Sequence, residues 1–276
     1  MMKNAELLTQ HCLQRFNEVN HELSIFMTTV RTWFETHPRL VEHPLPVIHS
    51  VKSRMKDPGH LEEKVARKLA ELTTQPTPEE MFHRLTDLSG VRVLLLHQNQ
   101  FAALHAEFLK KTKNDWHLVE PPKAYTWDPE SAEFFKKLEI NTELKESHYT
   151  SLHYVIRPKA DSDVVCEIQV RTLFEEIWGE VDHSLNYPSP TDNVACSEQL
   201  RVLAKVVGAG SRLVDSIFRT ARPTEPPAIE AVSEPSVEHL AHATPSTVTP
   251  PAATPTLVYC FRKNQLLTNV KFKFYQ

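Results

Sequence analysis

The chain has 276 residues, of which 41% are apolar and 24% are charged, which is enough to bury one large core. Its four cysteines include no CxxC pair, its five glycines form no phosphate-binding loop or nucleophile elbow, and no apolar run approaches the ~18 residues of a membrane span. The composition therefore argues against disulfide frameworks, zinc sites, glycine-rich nucleotide loops, membrane proteins and, with a net charge of −4, a general nucleic-acid-binding surface.

The N-terminal segment predicts one long packing helix. Residues 5–36 carry apolar side chains at spacings of three and four, the period of an amphipathic helix, and Pro38 ends the pattern. We assign residues 1–39 to this helix. The first residues, MMKNAELLTQHCLQRF, lack the layout of a secretory signal, so we expect a cytoplasmic protein.

A strongly basic segment follows at residues 46–72. Its cationic side chains are Lys52, Arg54, Lys56, Lys64, Arg67 and Lys68. The Asp57-Pro58-Gly59 triplet predicts a break with a helix after it. Further along, LSGVRVLLL predicts a buried strand, and residues 101–113 and 131–138 predict helices.

Two runs of alternating polarity predict a β-hairpin. Polar and apolar side chains alternate in SLHYVIRP and VVCEIQVRT, and the loop PKADSD joins the two runs. Its polar face carries Ser151, His153, Arg157, Glu167, Gln169 and Arg171. A sheet face open to solvent would also be polar, but it usually carries Thr, Lys and Ser, so we interpret this face as the lining of a cleft.

The segment after the hairpin predicts an amphipathic helix over residues 172–187. Phe174, Ile177, Val181 and Leu185 mark its apolar side, whereas the other side carries Glu176, Glu180, His183 and Tyr187. This polar stripe would lie over the polar face of the hairpin. A further helix is predicted over residues 197–219, and we expect the segment 191–220, which contains it, to pack on the core.

The C-terminal part of the chain changes in composition. Residues 221–256 hold eight of the twenty prolines, among Ala, Thr, Ser and Glu, which predicts a disordered linker. Residues 257–276 form a basic tail that contains four basic residues and no acidic one. Its VKFKFY run alternates like a strand, but its structure and partner stay open.

Three features of the sequence point to phosphoryl-group chemistry. The basic segment supplies cations for phosphate oxygens, Asp87 stands at the mouth of the predicted strand, and Glu167 lies on another strand. Two carboxylates can hold Mg²⁺ between them while ammonium and guanidinium groups neutralise phosphates. The residues therefore favour a magnesium-dependent nucleotidyl or phosphoryl transferase with an α+β fold, a mixed sheet flanked by helices.

The segments SRMKDPGHLEEKVARK, LTDLSGVRV, HYTSLHYVIRP, CEIQVRT and WGEVDHSLNY, in this order, resemble the synthetase domain of the RelA/SpoT alarmone enzymes, especially the stand-alone small synthetases. The resemblance covers residues 40–190 and implies a nucleotidyltransferase-like fold. It also implies that Mg²⁺-bound ATP donates its β,γ-pyrophosphate to the 3′-hydroxyl of GDP or GTP, giving ppGpp or pppGpp. Small synthetases are often homo-oligomers, so the resemblance makes a homo-oligomer possible.

The resemblance also implies roles for individual residues. Those matching the ATP-binding positions are Arg54, Lys56, Lys64 and Arg67, and those matching the metal-binding and acceptor-activating carboxylates are Asp87 and Glu167. Tyr149 matches the tyrosine that stacks on the acceptor guanine, and His153 matches a histidine near its phosphates that we count with the catalytic residues. The remaining polar positions of the motifs, which we assign mainly to the acceptor, are Gln169, Arg171, Asp182, His183 and Asn186.

The sequence departs from the family pattern beside the acceptor. His148-Tyr149-Thr150-Ser151 stands where the family usually has Gly-Tyr-Arg-Ser, and Pro188 stands where a lysine often follows the tyrosine. Two alternatives stay open. One is a toxin-like transferase that modifies the 3′ end of tRNA or an adenine nucleotide, and the other is a non-catalytic module that senses nucleotides.

Overall fold

The computed structural model describes residues 2–187 and 189–221. Pro188, residues 222–276 of the predicted linker and tail, and therefore Cys260, lie outside the described residues. Within the described ranges, no helix has the length and apolar character needed to cross a membrane. Cys12 and Cys166 are buried, but Cys196 is only partly buried, because it lies at the start of the last helix rather than in the core.

Seven strands form one mixed sheet in the order β1-β2-β7-β6-β4-β5, with β3 paired to β6. The strands are β1 Ser50–Met55, β2 Ser89–Leu95, β3 His117–Leu118, β4 Lys123–Thr126, β5 Asn141–Leu144, β6 Ser151–Arg157 and β7 Cys166–Thr172. The pairs β2–β7 and β4–β5 are parallel, and the other pairs are antiparallel. The predicted hairpin is confirmed as β6–β7, and so is the expected mixed sheet flanked by helices.

Eight helices of the described ranges surround the sheet. They are α1 Met2–Thr36, α2 Pro38–Val41, α3 Pro58–Glu71, α4 Pro78–His83, α5 Gln100–Asn114, α6 Pro129–Lys137, α7 Leu173–Asn186 and α8 Val194–Ala221. Proline opens α3, α4 and α6, each after a capping residue whose side chain accepts backbone N–H groups: Asp57, Thr77 and Asp128. The Asp57-Pro58-Gly59 triplet is thus a helix start as well as a chain break.

One face of the sheet carries the main core. Alternate residues of β2, β6 and β7 are buried against the second half of α1 and against α5 and α6. The first half of α1 packs instead with α3 and α4 around Leu61 and Met81. Because α1 shares its core with the sheet, it is an integral part of this fold. The segment boundaries at residues 39/40 and 190/191 stay predictions.

The other face of the sheet is polar and is covered by α7, which is backed by α8. Trp178 donates a hydrogen bond to the backbone carbonyl of Leu200 at 3.1 Å, and Gly210 allows the Phe174 ring to approach α8 closely. Glu176 of the polar stripe is buried, whereas Ile177 on the apolar side is 54% exposed. The stripe faces inwards because cations on the sheet neutralise its carboxylates.

Candidate active site

The polar face of the sheet and the inner side of α7 enclose a cavity of about 590 Å³, a volume typical of small-ligand sites. Of the site residues predicted from the sequence, the following line it: Arg54, Lys56, Asp87, Tyr149, Glu167, Gln169, Arg171, Asp182, His183 and Asn186. Strand register explains much of this arrangement, because Arg54 faces Gly90 across β1–β2 and Gly90 faces Glu167 across β2–β7. Glycine at position 90 leaves the floor of the cavity open between Arg54 and Glu167.

Asp87 lies between two lysines, two residues before β2 begins. Lys56 donates a hydrogen bond to its Oδ2 at 3.0 Å, and the Nζ of Lys64 lies 2.7 Å from its Oδ1. Burial alone would raise the pKa of this carboxyl, but the two ammonium groups outweigh burial and lower it. Asp87 is therefore ionised at neutral pH. Lys64 acts through this contact rather than as part of the cavity lining, and Arg67 is exposed outside the lining.

Glu167 projects from β7 into the same cavity. Its Oε2 accepts a hydrogen bond from the Gln169 amide at 2.8 Å, and its Oε1 lies 3.2 Å from Nδ1 of His153. Burial and the nearby Asp87 act to raise the pKa of Glu167, but the His153 and Gln169 contacts prevail and lower it. The cavity thus contains two ionised carboxylates that are close enough to influence each other.

A chain of hydrogen bonds leads from Arg171 to Glu167. Arg171 donates to the Tyr149 hydroxyl at 2.6 Å, and that hydroxyl lies 2.9 Å from Nε2 of His153. The other ring nitrogen of His153, Nδ1, lies 3.2 Å from Oε1 of Glu167, which completes the chain. His153 therefore lies behind Tyr149 and outside the cavity lining, in contact with a carboxylate rather than in open space.

The C-terminal end of α7 contributes a second group of polar side chains. The Asn186 amide donates to Asp182 at 2.8 Å and its carbonyl accepts the Thr191 backbone N–H, so Asn186 is engaged in ending the helix. His183 stacks on Tyr187 with ring centroids 4.6 Å apart. The Tyr187 hydroxyl then donates to Glu63 at 2.9 Å, which joins the C-terminal end of α7 to α3.

Several cavity residues were not predicted as site residues. Lys52 and Arg92 are direct partners in the β1–β2 register and both reach Glu176, a carboxylate of α7. Arg92 is also bonded to Glu180, one turn further along the helix. The sequence signal that could have identified Arg92 is the alternation of Gly90 and Arg92 with buried valines, which places both residues on the polar face of β2.

The two carboxylates fit a magnesium ion. Both side chains are ionised, and carboxylate oxygens are the ligands that Mg²⁺ prefers in proteins. Within the described ranges no group of three or more His, Cys, Asp or Glu side chains forms a complete metal cage. Mg²⁺ commonly binds one or two protein carboxylates together with substrate phosphates and water.

Residues 53–192 match the family described as "Region found in RelA / SpoT proteins". The chain is 24% identical over 203 residues to GTP pyrophosphokinase YjbM of Bacillus subtilis (strain 168). The aligned region covers 72% of this chain and 81% of that protein. Small alarmone synthetase 1 from Bacillus subtilis has a similar structure, with a TM-score of 0.57 at 18% identity over 76% of this chain and 100% of that one. That enzyme bound to its product pppGpp gives a TM-score of 0.53 at 21% identity, over 75% and 94% of the two chains. These structural similarities establish the shared fold.

Proposed function

Because the chain belongs to the RelA/SpoT family, whose model matches just over half of it, we propose that it transfers the β,γ-pyrophosphate of ATP to the 3′-hydroxyl of GDP or GTP. The observation that carries this proposal is the pairing of two ionised carboxylates, Asp87 and Glu167, with a row of cations in one cavity. That combination suits the charge of a transferring pyrophosphoryl group.

In the proposed reaction the acceptor 3′-oxygen forms a bond to the β-phosphorus of ATP. The bond between that phosphorus and the oxygen bridging to the α-phosphate breaks, AMP leaves, and the hydroxyl proton is released. Glu167 has a lowered pKa, so it suits a role as metal ligand and as acceptor of the hydroxyl's hydrogen bond better than a role as a strong base. Positioning and charge neutralisation then supply most of the catalysis, as is usual for phosphoryl transfer.

The donor would bind at the end of the cavity formed by β1 and Asp87. Arg54 and Lys56 lie beside Asp87 there, and a planar guanidinium such as that of Arg54 can stack on adenine or bind phosphate. Lys56 and Lys64 already contact Asp87, so they would neutralise phosphates placed next to that carboxylate. Arg67, which is exposed, would contribute through its charge at the rim.

The acceptor would bind at the end formed by β6, β7 and Tyr149. The guanidinium carbon of Arg171 lies 4.7 Å from the centre of the Tyr149 ring and covers one of its faces, so a guanine would stack on the other face. Gln169 and Arg171 sit beside this ring, with His183 and Asn186 opposite on α7. Thr150 is buried and hydrogen-bonded to Thr126 at 3.1 Å, so the side chain that differs from the family pattern at this position points into the protein.

Asp87 and Glu167 would hold Mg²⁺, which supplies charge neutralisation for the pyrophosphoryl group when it is bound. The chain's own residues keep both carboxylates ionised through Lys56, Lys64, Gln169 and His153. We expect removal of Mg²⁺ with a chelator to abolish transfer.

A transfer assay tests the proposal. The full chain, Mg²⁺ and γ-labelled ATP are incubated separately with GDP, GTP, ADP, ATP or deacylated tRNA, with Glu167→Gln as the inactive control. Label in guanosine tetra- or pentaphosphate supports the proposal. Label only in tRNA or in an adenosine product would mean that the acceptor is not GDP or GTP. No transfer to any acceptor would favour a non-catalytic nucleotide sensor.

A further inference from the structure

His148, the residue before Tyr149, has a backbone conformation that glycine adopts more readily than any other residue. Its φ is 63°, in the left-handed region, where a residue with a Cβ atom is strained. Glycine is the usual residue of the family pattern at this position, and histidine takes its place in this chain. Because such strain persists only where the surroundings enforce it, His148 needs contacts that hold its backbone.

Trp127 provides one such contact. The ring centroids of His148 and Trp127 lie 5.0 Å apart, and the two rings are tilted by 49°. Burial, and to a lesser extent the charges of Arg201 and Lys205 on α8, lower the pKa of His148. The imidazole is therefore neutral at neutral pH, which suits contact with an indole and does not suit the binding of a phosphate.

Both neighbours of Tyr149 in the sequence are anchored to consecutive residues at the end of β4. The His148 ring contacts Trp127, which directly follows β4. Thr150 is buried and is hydrogen-bonded to Thr126, the last residue of β4, at 3.1 Å. Positions 148 and 150 are also the two at which this loop departs from the Gly-Tyr-Arg-Ser pattern. The two departures together anchor the backbone that carries the Tyr149 ring.

Trp127 is itself held in place by α7 and α8. It packs against the buried cluster around Trp178, and a Cβ built on Gly208 would lie 3.8 Å from the indole. The next residue, Asp128, accepts a hydrogen bond from Arg212 of α8 at 2.8 Å. Trp127 is thus fixed well enough to hold a second ring that stacks on it.

We propose that His148 is a positioning residue: stacked on Trp127, it holds the backbone before Tyr149 in the left-handed conformation and so places the Tyr149 ring for the acceptor base. This inference rests on the proposed function, because it takes Tyr149 as the ring that binds the acceptor. A loop held in its binding conformation does not have to be ordered when the acceptor arrives. Any change that favours another backbone conformation lowers the fraction of competent protein and raises the acceptor KM accordingly.

A comparison of alanine with glycine at position 148 tests the proposal. Both variants lose the ring, but only alanine disfavours the left-handed conformation. We expect the KM for GDP to rise about five- to tenfold in His148→Ala and no more than about twofold in His148→Gly, with similar kcat in both. The affinity for α,β-methylene-ATP, whose α–β linkage cannot be cleaved in the transfer, should not change. Equal KM values in the two variants would overturn the proposal.

Substitution of Trp127 tests the stacking contact. Trp127→Ala should raise the KM for GDP as His148→Ala does, whereas Trp127→Phe, which keeps an aromatic partner, should retain most of the natural affinity. Adding His148→Gly to Trp127→Ala should lower the KM again, because glycine needs no stacking partner to adopt this conformation. A further rise of the KM in the double variant would mean that the two rings act independently and would contradict the inference.

The chain offers a matched control for backbone strain. Glu139 is the only other non-glycine residue with a positive φ in the described part of the chain, at 60°. It is exposed, follows α6 and lies outside the cavity lining. Glu139→Gly should be more stable to heat than Glu139→Ala, but both should keep the natural KM for GDP. A difference in KM as large as that at position 148 would mean that strain anywhere in the fold affects turnover, which would overturn the proposal.

Isothermal titration with GDP makes the same comparison without turnover, and the dissociation constants should follow the KM values. Transfer to GDP by the natural protein, with equal constants for His148→Ala and His148→Gly, would overturn this inference and leave the proposed function intact. Failure of the natural protein both to bind GDP and to transfer pyrophosphate to a guanosine nucleotide would overturn the proposed function and this inference with it.

Discussion

Arg171 donates a hydrogen bond to the hydroxyl of Tyr149 at 2.6 Å while its guanidinium carbon lies 4.7 Å from the centre of the same ring. A cation on one face and a donor at the hydroxyl fix the ring in one orientation. The hydroxyl in turn contacts His153, which contacts Glu167. The ring proposed to bind the acceptor base is therefore connected to the carboxylate proposed to orient the acceptor hydroxyl.

Removing the Tyr149 hydroxyl should impair acceptor use without affecting the donor. In Tyr149→Phe, Arg171 and His153 lose their shared partner, so we expect kcat/KM for the acceptor to fall about tenfold, the scale of one hydrogen bond to a charged group. Tyr149→Ala, which also removes the ring, should raise the acceptor KM further. Steady-state kinetics with GDP measure both, and an equal loss of affinity for α,β-methylene-ATP would contradict the assignment of Tyr149 to the acceptor.

Neutralising Glu167 should abolish transfer and leave the fold intact. Glu167→Gln keeps the size of the side chain and can still accept a hydrogen bond from His153, but it removes the charge available to a magnesium ion. We expect kcat to fall at least about a hundredfold, with an unchanged circular dichroism spectrum. Glu133→Gln, at an exposed helix pair with Lys137, serves as the control for loss of one surface charge. Turnover by Glu167→Gln close to that of the control would show that the metal assignment is wrong.

A methyl group at position 179 should displace Arg171. A Cβ built on Gly179 would lie 2.7 Å from the Nη1 of Arg171, which forces the guanidinium to move. Because alanine favours a helix over glycine by about 1 kcal/mol, Gly179→Ala should retain or increase thermal stability while the acceptor KM rises. Gly208→Ala is the matched control, since its Cβ meets the Trp127 ring at an ordinary 3.8 Å. An unchanged acceptor KM in Gly179→Ala would mean that the position of Arg171 does not affect acceptor binding.

The sequence predicted the parts of the fold whose patterns are local. The β6–β7 hairpin was expected from the alternation of Leu152, Tyr154 and Ile156 with polar neighbours. In the structure these three residues pair with the apolar residues of β7. Strand β1 was not predicted, because residues 46–72 were interpreted by their charge and the alternation within Ser50–Met55 was not used. The short strands β3–β5 carry too few residues to establish a period of two.

The sequence predicted which residues form the site better than it predicted how they are arranged. Asp87 and Glu167 were found from the sequence, and both line the cavity. Arg92 was missed because its importance comes from its neighbours on β1 and β7, which only the sheet brings together. Glu176 is buried because three cations from three different strands surround it, and spacing along one helix does not reveal such partners.

Glu175 and Glu176, adjacent on α7, should affect stability in opposite ways. Burial raises the pKa of Glu175 to about 6 despite its bonds to Thr172, whereas for Glu176 burial is outweighed by Arg92, so that its pKa is lowered. Since the raised pKa of Glu175 exceeds the ordinary value of 4.5, its contribution to stability is present below that value and is lost as the pH rises through about 6.

Replacing each of the two glutamates with glutamine measures these contributions directly. Glutamine can keep the capping bond of position 175 to the Thr172 N–H, so Glu175→Gln removes mainly the cost of a buried charge. We expect Glu175→Gln to increase the free energy of unfolding by about 1–2 kcal/mol at pH 8, and this gain should largely vanish by about pH 5. Glu176→Gln should be destabilising at pH 8, because Lys52, Arg92 and Arg171 lose their shared partner. Urea unfolding of the three proteins at the two pH values tests both signs, and destabilisation by Glu175→Gln at pH 8 would mean that the charged form of Glu175 is favourably paired.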